Sequence, residues 1–184
     1  MKYMIFTAAA LLLSTIMIQA QNLVSKVGYV KFYSHTPVED IEAHNRQVVS
    51  ILNTETGALQ FKLLVKSFEF EKKLMQEHFN ENYMHSDEYP NSTFKGKVMN
   101  INEIDFLTDT KHEVTVEGEL TIKGVTKKVS EKGTLEMKDG KIMTVAVFPV
   151  KLSEYDVKIP KAVIDNISES VEVTVDVALE KYQK

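Results

Sequence analysis

The sequence predicts an all-β fold, an eight-stranded antiparallel up-and-down barrel with one or two short helices at its mouth. Two observations carry this prediction: apolar and polar residues alternate along most of the chain, and short turn signals separate the alternating runs. Successive side chains of a strand point to opposite faces, so alternation indicates strands with one buried and one solvated face. Short connections make consecutive strands antiparallel neighbours, and closure into a barrel removes exposed edges.

The clearest strand lies close to the C-terminus, where valines alternate with polar residues from Val171 to Leu179. The same period of two recurs from Val114 to Ile122. Weaker runs are rich in β-branched and aromatic residues, which favour strands. About eight strands are expected, near residues 24–34, 47–55, 58–67, 92–101, 113–122, 125–136, 142–152 and 170–181.

Turn signals lie between these runs. Asp139-Gly140 is a strong signal for a two-residue hairpin, because both residues tolerate a positive φ. Thr56-Gly57 and Lys123-Gly124 are weaker signals of the same kind. These connections favour a meander of sequential strands within one domain.

One segment departs from the period of two. Between residues 71 and 84, Leu74, Met75, Phe79 and Tyr83 recur at helical spacing, with His78 on the same side. This pattern predicts an amphipathic helix of about three turns that ends before Pro90. A second short helix is expected near residues 161–167.

The first twenty residues have the pattern of a cleavable secretory signal peptide. Lys2 precedes an uncharged, largely apolar run from residue 4 to residue 18, and Ala20 supplies a small residue at the expected cleavage point. A membrane-spanning helix needs about 20 apolar residues, and this run is shorter. We therefore expect residues 1–20 to be removed, leaving a domain of residues 21–184 that is periplasmic or secreted and not stably inserted in a membrane.

Composition narrows the classes of function. The formal net charge of −4 argues against nucleic acid as a partner. The chain contains no cysteine, so it has no thiol nucleophile, no zinc–thiolate site and no acylated cysteine. Neither a nucleophile elbow nor a glycine-rich phosphate loop is present. The sequence therefore predicts a protein that is not an enzyme and has no cofactor.

Five histidines are the remaining candidates for metal binding. His78 and His85 are seven residues apart, about 10.5 Å along a helix, which is too far to share one ion. His35 and His44 are placed in a predicted loop that also contains three acidic residues, Glu39, Asp40 and Glu42. No metal is expected, although a metal-assisted enzyme acting on a lipid stays open as a weaker alternative.

Large apolar residues are numerous for a domain of this size. The chain has nine phenylalanines and eight methionines. A small barrel either fills its interior with such side chains or leaves room for one ligand, and methionine adapts to irregular shapes. The pattern leaves both a filled barrel that serves as a protein-interaction module and a ligand-binding barrel open, and composition alone favours the filled one.

Several strings then resemble the YceI-like family of exported polyisoprenoid-binding proteins. They are KSFEFEK at 66–72, LMQEHFNENYM at 74–84, SDEYP at 86–90, TFKG at 93–96 and GELTIKGVTK at 118–127, joined by FYSHTP at 32–37 and IEAHN at 41–45. The resemblance covers nearly the whole chain after residue 20. At the first strand the chain reads GYVK at 28–31, and it contains no tryptophan, whereas many members of the family have a tryptophan there.

The resemblance implies a lipocalin-like barrel with an elongated apolar cavity for a long-chain isoprenoid or other amphiphilic lipid, held without catalysis. It places the helix beside the barrel mouth. The oligomeric state stays open, and a homodimer is compatible with the sequence. Together with strand alternation, the resemblance predicts these cavity-lining residues: Phe32, Phe61, Leu63, Val65, Met75, Phe79, Tyr83, Phe94, Val98, Val116 and Leu120.

Overall fold

The computed structural model describes residues 22–181, and the predicted signal peptide 1–20 lies outside the described residues. The strands are β1 (Asn22–His35), β2 (Asp40–Asn53), β3 (Ala58–Leu64), β4 (Phe68–Phe70), β5 (Asn91–Val98), β6 (Lys111–Ile122), β7 (Val125–Lys138), β8 (Lys141–Lys151) and β9 (Ser170–Lys181). Eight of them are antiparallel and close into a barrel in the spatial order β1-β9-β8-β7-β6-β5-β3-β2, with β2 returning to β1. The three-residue strand β4 pairs with the start of β2. The predicted eight-stranded up-and-down barrel is confirmed.

Tight turns set the order of the strands. Asp139 and Gly140 have φ of 51° and 75°, and Lys123 and Gly124 have φ of 48° and 75°. Two consecutive residues of positive φ form the type I′ geometry, whose twist matches that of a hairpin. The β7–β8 and β6–β7 connections are therefore two-residue hairpins, as the sequence indicates.

Strand β2 begins earlier than the sequence suggests. It starts at Asp40, so Asp40, Glu42 and His44 lie in β2 and not in the predicted loop. His35 is the last residue of β1, and only Glu39 of the predicted loop residues lies in the connection. The β1–β2 connection is a four-residue turn in which the Thr36 hydroxyl oxygen accepts hydrogen bonds from the backbone N–H groups of Val38 and Glu39, at 3.2 and 3.1 Å. This turn lies at one end of the barrel, which we call the mouth.

The predicted strand at 58–67 ends three residues early, and a further short strand follows it. Its ladder with β2 ends near Leu64, a single 3₁₀ turn (Val65–Ser67) follows, and β4 resumes pairing with β2. The buried Asn45 of β2 stabilises this break, because its side-chain amide donates to the carbonyl oxygen of Leu64 at 2.8 Å. Both strand pieces are thus held against the same neighbouring strand.

The helical segment is shorter than predicted. Helix α1 (Lys73–His78) gives way to a wider turn at Phe79–Tyr83, in which the N–H of Met84 donates to the carbonyl of Phe79 at 2.9 Å. Such i→i+5 bonding shifts the following side chains relative to a regular helix. Near residue 161, the predicted second helix is a single 3₁₀ turn, Lys161–Val163.

The core lies at both ends of the barrel. At the end away from the mouth, Leu52, Val98 and Leu179 are completely buried in one apolar cluster. Towards the mouth, a second cluster contains Val65 and Tyr155, and a third contains Phe68. Within residues 22–181, no helix has the length and apolar character needed to cross a membrane.

Candidate functional site

An apolar cavity of about 400 Å³ runs through the barrel between the two ends of the core. This is within the range of typical small-molecule sites, about 300–1,000 Å³. All eight long strands contribute to its wall, and the helical segment contributes at the mouth. Because most inward positions are valine, leucine or phenylalanine, the wall presents mainly C–H groups to any occupant.

Ten of the eleven residues selected from the sequence lie on the cavity surface. Those on the strands follow the inward phase of the alternation, and those on the helical segment lie at the mouth. The structure brings together Phe32, Phe61, Leu63, Met75, Phe79, Tyr83, Phe94, Val98, Val116 and Leu120. Their role in holding a ligand stays a prediction.

Val65 is the residue that the structure places elsewhere. It is fully buried in the packed cluster near the mouth and does not border the cavity. The reason is local: β3 ends at Leu64, and the turn that follows directs Val65 into protein, where its N–H donates to the carbonyl of Pro90 at 2.9 Å. Strand alternation does not extend through a turn.

Four phenylalanines form a continuous aromatic cluster at the mouth. The ring of Phe79 lies 5.5 Å from Phe32, 5.6 Å from Phe68 and 5.1 Å from Phe70, measured between centroids. Aromatic pairs at such distances stabilise contacts beyond their buried area. Phe79 comes from the helical segment and the other three come from strands, so this cluster fastens the segment across the mouth.

The apolar residues of the helical segment do not all face the barrel. Met75, Phe79 and Tyr83 border the cavity, as does His78. Leu74 instead is 61% exposed. The sequence grouped Leu74 with the buried side, but a segment of one short α-helical piece and one wider turn presents a narrower apolar face than three regular turns.

Two acidic residues border the cavity, Glu39 and Glu131. The Glu39 carboxylate accepts hydrogen bonds from Lys72 at 3.2 Å and from Asn166 at 3.1 Å. Glu131 lies on the inward face of β7, opposite Val116 of β6. Burial raises the pKa of the Glu131 carboxyl group, because its charged form is poorly solvated there. Burial, with smaller contributions from Glu154 and Glu131, raises the pKa of the Tyr155 hydroxyl as well.

Glu131 did not emerge from the sequence as a candidate. The available signal was its position in the period of two, since Val129, Glu131, Gly133 and Leu135 alternate with Ser130, Lys132 and Thr134. A carboxylate at an inward position is a departure from the binary pattern, and such departures often mark functional sites.

A group of polar side chains on β1 and β2 faces outward. The Tyr29 hydroxyl and the Nδ1 atom of His44 are 2.8 Å apart, and the His44 Nε2 atom is 3.1 Å from the Glu42 carboxylate. A hydrogen bond from His35 lowers the pKa of the Asp40 carboxyl group. These groups line the outer faces of β1 and β2, and none of them borders the cavity. Across residues 22–181, no group of three or more histidine and acidic side chains is arranged to hold a metal ion.

Comparison with known proteins adds the family and the fold. A family model described as a YceI-like domain matches residues 22–179. None of the curated proteins matches the chain in sequence.

Solved structures share the barrel at low sequence identity. A polyisoprenoid binding domain from Saccharophagus degradans, implicated in plant cell wall breakdown, has a TM-score of 0.77 at 13% identity, covering 89% of this chain and 100% of that one. BcnA from Burkholderia cenocepacia has a TM-score of 0.68 at 18% identity, covering 83% and 95%. The YceI protein of Campylobacter jejuni has a TM-score of 0.53 at 16% identity, covering 100% and 94%. At these identities the likeness establishes the fold alone.

Proposed function

The chain belongs to the YceI-like family, and we propose that it is a binding protein that holds a long-chain isoprenoid or similar amphiphilic lipid inside its barrel. The observation that carries the proposal is the cavity of about 400 Å³, with its wall of inward-facing apolar side chains. Transferring a hydrocarbon from water into such a space contributes about 0.8 kcal/mol per CH₂ group. Affinity for a long chain therefore requires no chemical step.

The named neighbour from Saccharophagus degradans supports the same class of ligand, since it is described as polyisoprenoid binding. The predicted signal peptide at residues 1–20 supports a role after export, in the periplasm or outside the cell. In that setting a closed barrel shields an apolar chain from water during transport, storage or sequestration, with no catalysis.

A filled barrel acting only as a protein-interaction module fits the structure less well. Such a barrel needs an interior packed to the density of a protein core, with voids scarcely larger than a water molecule. The cavity here is far larger than the roughly 30 Å³ share of one water in the liquid. The interior volume therefore favours a ligand.

The test is native mass spectrometry of the exported protein, purified without detergent, followed by organic extraction. A discrete added mass that extracts as a long-chain lipid is the expected result. An unliganded mass that does not change when isoprenoid alcohols are added would overturn the proposal and leave the fold assignment in place.

A further inference from the structure

The barrel wall divides between β7 and β8. Their ladder runs from the Asp139-Gly140 hairpin only as far as the pair Gly133 and Ala146. Beyond it, residues 125–132 of β7 pair with β6 alone, and residues 147–151 of β8 pair with β9 alone. The two strands therefore diverge towards the mouth, and we call the space between them the fork.

The β8–β9 connection covers part of the fork. The 3₁₀ turn Leu152–Tyr155 packs against β7. Tyr155 and Val157 are buried in the core cluster near the mouth. The Lys123 ammonium group donates to the carbonyl oxygen of Asp156 at 2.8 Å, which ties this connection to the β6–β7 turn. The part of the fork nearest the mouth is thus occupied by protein.

Glu131 lies two residues beyond Gly133, the last residue of β7 that pairs with β8, and is the next inward position of that strand. The inward residues at the point of divergence are both small, Gly133 on β7 and Ala146 on β8, and both border the cavity together with Glu131. Within residues 22–181 the Glu131 carboxylate has no hydrogen bond or ion pair. It is an acceptor without a partner on the wall of an apolar cavity.

An unpaired carboxylate in such surroundings is unfavourable, because the protein replaces its hydration only in part. A hydrogen-bond donor on the bound molecule offsets this cost, and bonds to a charged acceptor are stronger than those between neutral groups. An anionic head group has the opposite effect, because two negative charges a few Å apart repel strongly where the dielectric constant is low.

We infer that the fork is the polar subsite of the cavity and that Glu131 accepts a hydrogen bond from the head group of the bound lipid. The lipid is then a long-chain amphiphile with a hydrogen-bond-donating head, such as an alcohol or an amine, and not a phosphate ester. This inference rests on the proposed function and specifies its ligand class.

Two probes of equal chain length test the inference, farnesol and farnesyl phosphate. Each is titrated at pH 8 into delipidated mature protein, with displacement of a fluorescent apolar dye as the readout. Wild-type protein is expected to bind the alcohol at least about tenfold more tightly than the phosphate. Glu131→Gln keeps the size and a hydrogen-bonding oxygen but removes the charge, so it should reduce this ratio at least about fivefold, mainly by tightening phosphate binding.

Glu119→Gln is the matched control, because Glu119 is an exposed glutamate on the outer face of the neighbouring strand β6. It should keep the wild-type ratio, and circular dichroism should show that both variants are folded. If both probes bind and Glu131→Gln leaves the ratio unchanged, or if wild-type protein prefers the phosphate, the role of Glu131 is refuted while lipid binding stands. If neither probe binds and no lipid is extracted, the proposed function itself fails.

Discussion

Replacing Phe79 with alanine tests whether the aromatic cluster fastens the helical segment across the mouth. Truncating a fully buried phenylalanine costs about 3–5 kcal/mol. Phe79 is only partly buried, but it contacts three other rings, at 5.5, 5.6 and 5.1 Å. Each such pair contributes about 0.5–1.5 kcal/mol beyond its area. A loss of roughly 2–3 kcal/mol in the free energy of unfolding follows.

The assay is thermal unfolding of the chain from residue 21 to residue 184, followed by circular dichroism. In a domain of this size, 1 kcal/mol corresponds to about 2–4 °C in Tm, so Phe79→Ala should lower Tm by about 4–12 °C. Leu74→Ala is the matched control, because Leu74 lies on the same segment and is 61% exposed. Exposed substitutions usually change stability by no more than about 0.5 kcal/mol.

Bound lipid provides a second readout of the same pair of variants. Phe79 borders the cavity and Leu74 does not, so only the Phe79 variant should lose lipid during purification. Equal Tm values for the two variants would refute the packing argument. A Phe79 variant that is destabilised but keeps wild-type lipid content would refute a role for this ring in retaining the ligand.

Three further predictions follow from the cavity and its wall. Leu63→Trp should fold yet displace bound lipid because it fills the cavity, whereas Leu64→Trp on the outer face should retain lipid; equal lipid content by mass spectrometry would contradict this. Burial raises the pKa of Glu131 in the folded protein, so its ionised form opposes folding. Below the ordinary glutamate pKa of about 4.3 the carboxyl group is neutral and the fold keeps its full stability. That stability is lost as the pH rises through the folded-state pKa. Glu131→Gln should therefore have a higher Tm than wild type at pH 8 and the same Tm near pH 3.5, a convergence that Glu119→Gln should not show. Gly118→Ala should lower Tm markedly, because the added Cβ would lie 2.5 Å from the Gly96 Cα and the Lys95 carbonyl oxygen; an unchanged Tm would show that the two strands can separate at no cost.

The period of two predicts most of the barrel, because strand faces in a meander follow the same rule from end to end. It fails at the start of β2, where the inward residues are Ile41, Ala43 and Asn45. Asn45 is completely buried, yet it is polar, and it is satisfied by donating to the Leu64 carbonyl and accepting from the Gln47 N–H at 2.9 Å. A buried polar residue that depends on a carbonyl group 19 residues away looks like a loop residue in the sequence.

The sequence likewise does not show where β3 ends. Nothing in the sequence from Phe61 to Val65 indicates that β3 ends at Leu64, since Phe61, Leu63 and Val65 keep the apolar spacing of a strand although the structure turns there. The break depends on the amide of Asn45 and the carbonyl of Pro90, which come from other parts of the chain. Val65 therefore has the sequence pattern of a wall residue and the environment of a core residue.

The types of residue at inward positions do not show whether the barrel contains a cavity, because this depends on how much of the interior volume their side chains fill. Valines and phenylalanines at inward positions are equally typical of a packed core and of a cavity wall. The space depends on where small residues face each other, as Gly96 and Gly118 do between β5 and β6, and as Gly133 and Ala146 do at the fork. At the first pair the ring of Phe94 occupies the room that side chains would need. At the second pair β7 and β8 diverge, and the cavity surface there includes Gly133, Ala146 and Glu131. The cavity therefore extends to a carboxylate at a point where the strands separate, which the residue types alone do not reveal.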